Sequence, residues 1–230
     1  MLATDPCIHA RLAQANTWIF DLDNTLYPPS DDLFGQINRL MTAFIVQEVG
    51  VDEAEAHRLR VTYWEEYGNT LAGLAARHDV SAADFLRATH QLDLSHLRQD
   101  PALRAAIAAL PGRLLVHTNG PRAHAEAVLV ARGLDGLFHR IVAIEDSGLV
   151  PKPQSLAYDA FLDLTGAEPE QCVMIEDHAD NLCEPHRRGM VTVWLDHGSD
   201  TTKPDHVDIQ TQDVHRFLED LHNLSARQSG

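Results

Sequence analysis

Residues 18 to 28 read Trp18-Ile19-Phe20-Asp21-Leu22-Asp23-Asn24-Thr25-Leu26-Tyr27-Pro28. Three apolar residues run into two carboxylates and then into a turn set by Asn24 and Pro28. An apolar run bounded by turn residues predicts a strand buried in a parallel sheet. Its acidic end would lie at the strand's C-terminal tip, where open α/β sheets bind ligands. If strand geometry persists, Asp21 and Asp23 share one face and Leu22 points to the other. Two adjacent carboxylates repel unless a cation or a proton offsets the charge. Taken alone, the stretch fits an acidic turn after a strand. It also fits a nucleophilic Asp followed two residues on by an acid/base Asp, and the rest of the chain has to decide.

Downstream, Ser30 is an expected helix N-cap, and Leu33, Ile37, Leu40, Met41 and Phe44 recur at helical spacing. Asp52 with Glu55 opens a second helix that Gly68 ends. Thr70 is expected to cap a third helix, and Ser81 with Asp84 a fourth. Residues 30–95 thus read as an all-helical insert placed directly after the acidic strand tip, in the manner of a cap domain. Residues 1–17 carry no motif and read as a loop or a loosely tied turn.

From Asp100-Pro101, an N-cap followed by a proline at the first helical position, strands and helices alternate, which predicts βαβ units. Strands are expected at Leu114–His117, Ile141–Ile144, Cys172–Ile175 and Val191–Leu195, with a last helix near Val214–Leu221. The fold class is α/β, a doubly wound parallel sheet. Residues 1–29 and 96–230 form its Rossmann-like core, and residues 30–95 form the inserted cap.

The strand tips carry Asp21 and Asp23, then Thr118 and Asn119, then Lys152 between Pro151 and Pro153, then Glu176 and Asp177. On a doubly wound sheet these tips converge in one crevice. Carboxylates from two tips make a hard-oxygen site suited to Mg²⁺, which also takes substrate phosphate and water. A hydroxyl, backbone N–H groups and an ammonium suit phosphate oxygens. Aspartate attacking phosphorus is a known covalent strategy.

The 230 residues carry a formal charge of −16, which argues against nucleic acid polymers and anionic membranes as partners. No apolar run approaches the roughly 18 residues that a bilayer requires. Three cysteines without CxxC spacing suggest a reducing compartment and buried thiols, so a cytoplasmic protein is expected, as a monomer or homodimer.

Asp21-Leu22-Asp23-Asn24-Thr25, Thr118, Lys152-Pro153 and Glu176-Asp177 with Asn181 together resemble the haloacid dehalogenase superfamily. Three further stretches resemble its pyrimidine 5′-nucleotidase branch: residues 67 to 74, Thr118-Asn119-Gly120 with His124-Ala125-Glu126, and residues 189 to 194. The resemblance implies Asp21 as nucleophile and metal ligand. It implies Asp23 as acid/base, with its backbone carbonyl on the metal. Thr118 and the Asn119 backbone would hold phosphoryl oxygens, and Lys152 would offset charge on Asp21 and the phosphate. Asp177 would be a direct Mg²⁺ ligand, Glu176 a second ligand or an outer base, and Asn181 a bridge behind them. In the cap, Tyr67, Gly68, Thr70 and Gly73 would face the substrate.

The implied reaction is Mg²⁺-dependent hydrolysis of a small phosphomonoester, with UMP and CMP foremost. A sugar-phosphate or phosphoglycolate phosphatase, a phosphomutase and a catalytically silent binding module remain as alternatives. A metal-free dehalogenase is disfavoured, since it has no use for Asp23, Glu176 or Asp177. His117 and His178 stand where an aromatic and a small hydroxyl residue are usual. His57, His78, His90 and His124 read as structural or solvated.

Overall fold

The computed structural model describes residues 5–67 and 69–228, with side chains described to residue 224. Two compact units are present, one comprising the chain up to Pro29 with Leu97 onward, the other Ser30–His96.

The first unit is built on six parallel strands: β1 (Thr17–Phe20), β2 (Arg113–His117), β3 (Arg140–Val142), β4 (Cys172–Glu176), β5 (Val191–Leu195) and β6 (Ile209–Thr211). Their order is β3-β2-β1-β4-β5-β6, the doubly wound arrangement anticipated from the alternating pattern. The order reverses between β1 and β4, and such switch points are where open sheets bind ligands. Every residue of β1 is buried, as the unbroken apolar run requires. Ile19 packs into a cluster with Leu115, Met174 and Phe161. Trp18 lies 6.5 Å from Phe217, and Phe20 lies 5.8 Å from Phe138, centroid to centroid. Burying each such side chain contributes roughly 1.5–3 kcal/mol.

The core helices are α1 (Pro6–Gln14), α6 (Pro101–Ala108), α7 (Arg122–Arg132), α8 (Ser155–Thr165), α9 (Cys183–Arg187) and α10 (Val214–Gln228). The helix α1 corrects the expectation of a loop or a loosely tied turn over residues 1–17. The Asp5 carboxylate accepts from the Cys7 N–H at 2.8 Å and Pro6 occupies the first turn, the same pattern that starts α6 at Asp100-Pro101. The third strand stops at Val142, short of the expected Ile144, because Ala143 begins a 3₁₀ turn. After β4, a 3₁₀ turn over Ala179–Leu182 leads into α9. Of the three cysteines, only Cys172 is buried; Cys7 and Cys183 are exposed, against the expectation of buried thiols. Among the described residues, no helix is long and apolar enough to cross a membrane.

Asp100 joins three helices. It caps α6 at the Leu103 N–H (3.0 Å) and accepts from Arg132 Nη2 (2.8 Å) on α7 and His215 Nε2 (2.9 Å) on α10. Burial opposes its ionisation, but the cap bond, the His215 bond and the Arg132 charge outweigh that and hold its carboxyl below the ordinary value. A carboxyl held low in the folded state adds stability that is fully present above its unfolded pKa, near 3.9. That contribution is lost as pH falls through the folded value. Asp100→Ala is therefore expected to lower stability by about 1–3 kcal/mol at pH 7, through the lost cap and the unpaired Arg132. Urea unfolding of variant and wild type should show the gap closing below about pH 4. A gap that does not change with pH would mean that Asp100 acts through packing alone.

The second unit holds α2 (Leu33–Val49), α3 (Glu53–Tyr67), α4 (Thr70–His78) and α5 (Ala82–Thr89). Phe44 and Phe85 meet edge to face at 5.4 Å and join α2 to α5. Ser30 does not cap α2: it lies in a 3₁₀ turn, and Asp32, in the left-handed region, precedes the helix. The cap of α4 is Asn69, whose side chain accepts from the Ala72 N–H at 2.6 Å, and not Thr70.

Candidate active site

The register of β1 against its neighbours creates the site. Phe20 pairs with Val116 on one side and Ile175 on the other, so the next residues, Asp21, His117 and Glu176, stand level at the C-terminal edge. Like charges so placed are destabilising. Lys152 resolves the conflict. Its Nζ donates to Asp21 Oδ1 (2.7 Å), Glu176 Oε1 (2.8 Å) and the His117 carbonyl (2.8 Å). All three donor positions of the ammonium are thereby used, and Lys152, Asp21 and Glu176 are all buried. The two carboxylates outweigh the effect of burial and hold Lys152 charged, above its ordinary range.

Asn119 positions Lys152. Its Oδ1 accepts from the Lys152 N–H at 2.8 Å, and its Nδ2 donates to the Lys152 carbonyl at 3.0 Å. The side chain thus clamps the lysine backbone, a use that the sequence did not suggest. Thr118 lies just past the end of β2, and its hydroxyl accepts from the Gly120 N–H at 2.9 Å.

Glu176 is fully engaged. Oε1 also accepts from Asn181 Nδ2 (2.7 Å), and Oε2 accepts from the His178 N–H (2.8 Å). Burial raises its pKa, but Lys152 and these donors prevail and keep it ionised. Asp177 contrasts with it. Burial and then the charges of Glu176 and Asp21 push its carboxyl up to about 9, against one opposing bond from Asn24 Nδ2 at 3.2 Å. Asp21 is likewise pushed up to about 7 by burial, with Lys152 opposing and Glu176 and Asp23 adding to the rise.

Carboxylate oxygens of Asp21, Glu176 and Asp177 lie within 4.8 Å of one another. One ammonium among three carboxylates leaves negative charge uncompensated, and every donor is a hard oxygen. This donor set fits Mg²⁺. With Glu176 committed to Lys152, Asn181 and the backbone, Asp21 and Asp177 are the carboxylates suited to direct ligation, and Glu176 and Asn181 orient from behind.

Strand geometry does not persist past Phe20. The Leu22 carbonyl accepts from the N–H groups of Thr25 (3.3 Å) and Leu26 (2.9 Å), a turn in which Asn24 takes φ +58°. The turn carries Asp23 to a separate set of partners. Its Oδ1 accepts from Tyr27 Oη at 2.6 Å and from His124 Nε2 at 2.7 Å, all three residues being buried. Burial alone would lower the His124 pKa; the charge and hydrogen bond of Asp23 raise it above its ordinary value. The reading of His124 as structural or solvated is therefore corrected, because it touches the acid/base candidate.

His117 takes the aromatic role usual at its position. It stacks on Phe161 at 4.7 Å and meets Tyr158 edge-on at 5.3 Å, and burial keeps its ring neutral. The helical-unit residues are tied up locally. Thr70 is buried and its hydroxyl donates to the Arg60 carbonyl at 3.0 Å, so it is not offered to a ligand. A Cβ on Gly73 would come 2.4 Å from the Tyr63 side chain, so the close approach that glycine permits there is to Tyr63. Tyr67 Oη accepts from Arg77 Nε at 2.7 Å. Gly68 lies outside the described residues.

Comparison with known proteins finds relatives of this chain. Phosphate metabolism protein 8 of Saccharomyces cerevisiae is 29% identical over 136 residues, covering 54% of this chain and 42% of that protein. The chain thus spans less than half the length of that relative. A phosphoglycolate phosphatase of Haemophilus influenzae is 25% identical over 194 residues, 78% of this chain and 84% of that enzyme. A haloacid dehalogenase-type hydrolase of Bacillus subtilis, solved with bound magnesium, superposes with a TM-score of 0.57 at 16% identity, covering 91% of this chain and 98% of that one. The profile of the haloacid dehalogenase-like hydrolases matches residues 16–182, well over half of the sequence. The chain belongs to the haloacid dehalogenase-like hydrolase family.

Proposed function

We propose that the protein is a Mg²⁺-dependent phosphomonoesterase acting on a small molecule through a covalent phospho-Asp21 intermediate. The observation that carries this reading is the buried Lys152 ammonium bridging Asp21 and Glu176 at the switch point, with Asp23 two residues on and held separately. Bound Mg²⁺, with Asp21 and Asp177 as protein ligands, would supply electrostatic stabilisation of charge on the phosphoryl oxygens.

The chain's own residues carry the steps. An Asp21 carboxylate oxygen attacks phosphorus, the bond from phosphorus to the substrate oxygen breaks, and that oxygen takes a proton from Asp23. Asp23, now ionised, accepts a proton from water as the water attacks the same phosphorus. The Asp21–phosphorus bond breaks, and phosphate leaves. Lys152 holds Asp21 in place and balances its charge, while the Thr118 hydroxyl and the Asn119 backbone bind phosphoryl oxygens.

For the leaving group, the resemblance in residues 67 to 74 and 189 to 194 supports a pyrimidine nucleoside 5′-monophosphate. The phosphoglycolate phosphatase relative, aligned over most of both chains, favours a second reading, a short phosphorylated acid. A phosphate-release panel of UMP, CMP, AMP, phosphoglycolate and a hexose phosphate separates them. UMP or CMP is expected to have the highest kcat/KM, and a lead by phosphoglycolate would select the second reading. With p-nitrophenyl phosphate, EDTA should abolish release and Mg²⁺ should restore it. Metal-independent release would remove the Mg²⁺ assignment.

A further inference from the structure

Two donors meet at one oxygen of Asp23. Oδ1 takes two donors, one local and one distant in the sequence: Tyr27 Oη (2.6 Å) four residues on and His124 Nε2 (2.7 Å) from α7. Oδ2 lies elsewhere. An ideal Cβ on Gly120 would be 3.5 Å from Asp23 Oδ2, 3.3 Å from Thr118 Oγ1 and 3.1 Å from His124 Cδ2. Asp23 Oδ2 and the phosphate-binding hydroxyl of Thr118 therefore border one small space, which stays open because residue 120 has no side chain. Two strong donors on one carboxylate oxygen fix the rotation of the group, and with it the direction in which the other oxygen faces.

We propose that His124 and Tyr27 are positioning residues that hold Asp23 by Oδ1, so that Oδ2 alone exchanges the proton with the leaving-group oxygen over Thr118 and Gly120. This deepens, and rests on, the reading of Asp23 as the acid/base. Neither residue touches the substrate; each acts by fixing an atom that does. The placement of His124 supports this use. It shares the buried stripe of α7 with Val128 and Arg132, where a histidine is retained only with a partner. Its partner is the acid/base carboxylate, reached across 101 residues of sequence. Gly120 belongs to the same device. Its backbone is outside the left-handed region, so an alanine there is conformationally allowed, yet its methyl would intrude between Oδ2 and the Thr118 hydroxyl.

The test reads kcat/KM, which reports steps through the first phosphoryl transfer, on an alkyl phosphate and on p-nitrophenyl phosphate. The alkyl oxygen needs a proton to leave; nitrophenolate does not. His124→Leu is expected to lower kcat/KM for the alkyl phosphate by about 10- to 100-fold and that for p-nitrophenyl phosphate by far less, as a misplaced proton donor should. Tyr27→Phe should act in the same direction. His124→Gln, whose terminal amide nitrogen can stand in for Nε2, should recover most of the loss. In an Asp23→Asn background, His124→Leu should have no further effect on the alkyl phosphate. Inorganic phosphate inhibition and the Mg²⁺ requirement should be unchanged in each folded variant.

Equal losses on both substrates, no rescue by glutamine, or a full effect persisting beside Asp23→Asn would overturn the positioning role while leaving Asp23 as the acid/base. If Asp23→Asn itself shows no leaving-group selectivity, the acid/base reading fails and the proposal falls with it.

Discussion

Asp21→Asn is expected to reduce phosphate release by more than about 10⁴-fold, the scale on which losing a covalent nucleophile acts. The amide keeps an oxygen that can accept from Lys152 Nζ, so the bridge to Glu176 persists in outline. What disappears is an anionic oxygen aimed at phosphorus. The fold should tolerate the change, because burial pushes the Asp21 carboxyl up to about 7 and its ionised form is held at a cost to folding. In EDTA at neutral pH, the melting temperature of the variant should equal or exceed that of wild type. Retention of more than about one per cent of activity would place the nucleophile elsewhere.

Lys152→Met should have the second largest effect, and on stability as well as rate. Removing the ammonium leaves Asp21 and Glu176 buried, level on adjacent strands and without a counter-charge. Breaking a buried pair by deleting one partner costs about 3–5 kcal/mol. Combining Lys152→Met with Glu176→Gln should recover part of that loss, because one of the two stranded charges is then gone. Additive losses in that double variant would contradict the view that Lys152 serves chiefly to neutralise the pair.

Three strand tips that follow short apolar runs, with Lys152 marked by its flanking prolines, carry most of the catalytic reading, and the topology that gathers them follows from strand-helix alternation. Asp21, Lys152, Glu176 and Asp177 were legible for that reason. His124 was not, since its contact with Asp23 spans 101 residues and its neighbours look like an ordinary helix. Beside the resemblance that includes His124-Ala125-Glu126, the stripe His124, Val128, Arg132 places two polar side chains at i, i+4, i+8 on a face that the apolar residues mark as buried. Arg132 is likewise engaged, with Leu26, Arg98 and Asp100. The helix α1 is likewise hard to read, because its Asp5-Pro6 start, which repeats Asp100-Pro101, stands ahead of a shorter apolar pattern. The left-handed Asn24 and the clamp of Asn119 on Lys152 depend on backbone geometry that no local spacing encodes. Within the helical unit, the functional reading of Thr70 and Gly73 rests on the resemblance of residues 67 to 74, and their contacts with Arg60 and Tyr63 are local.

The central claim is that phosphate passes through Asp21, and acid-quenched single turnover with a ³²P-labelled phosphomonoester and Mg²⁺ measures it most directly. Transient label is expected on the protein, mapped to the peptide that carries Asp21. The label should be absent in Asp21→Asn and longer-lived in Asp23→Asn, where the attacking water lacks its base. Full turnover with no labelled protein at any quench time, in wild type and in Asp23→Asn alike, would contradict it.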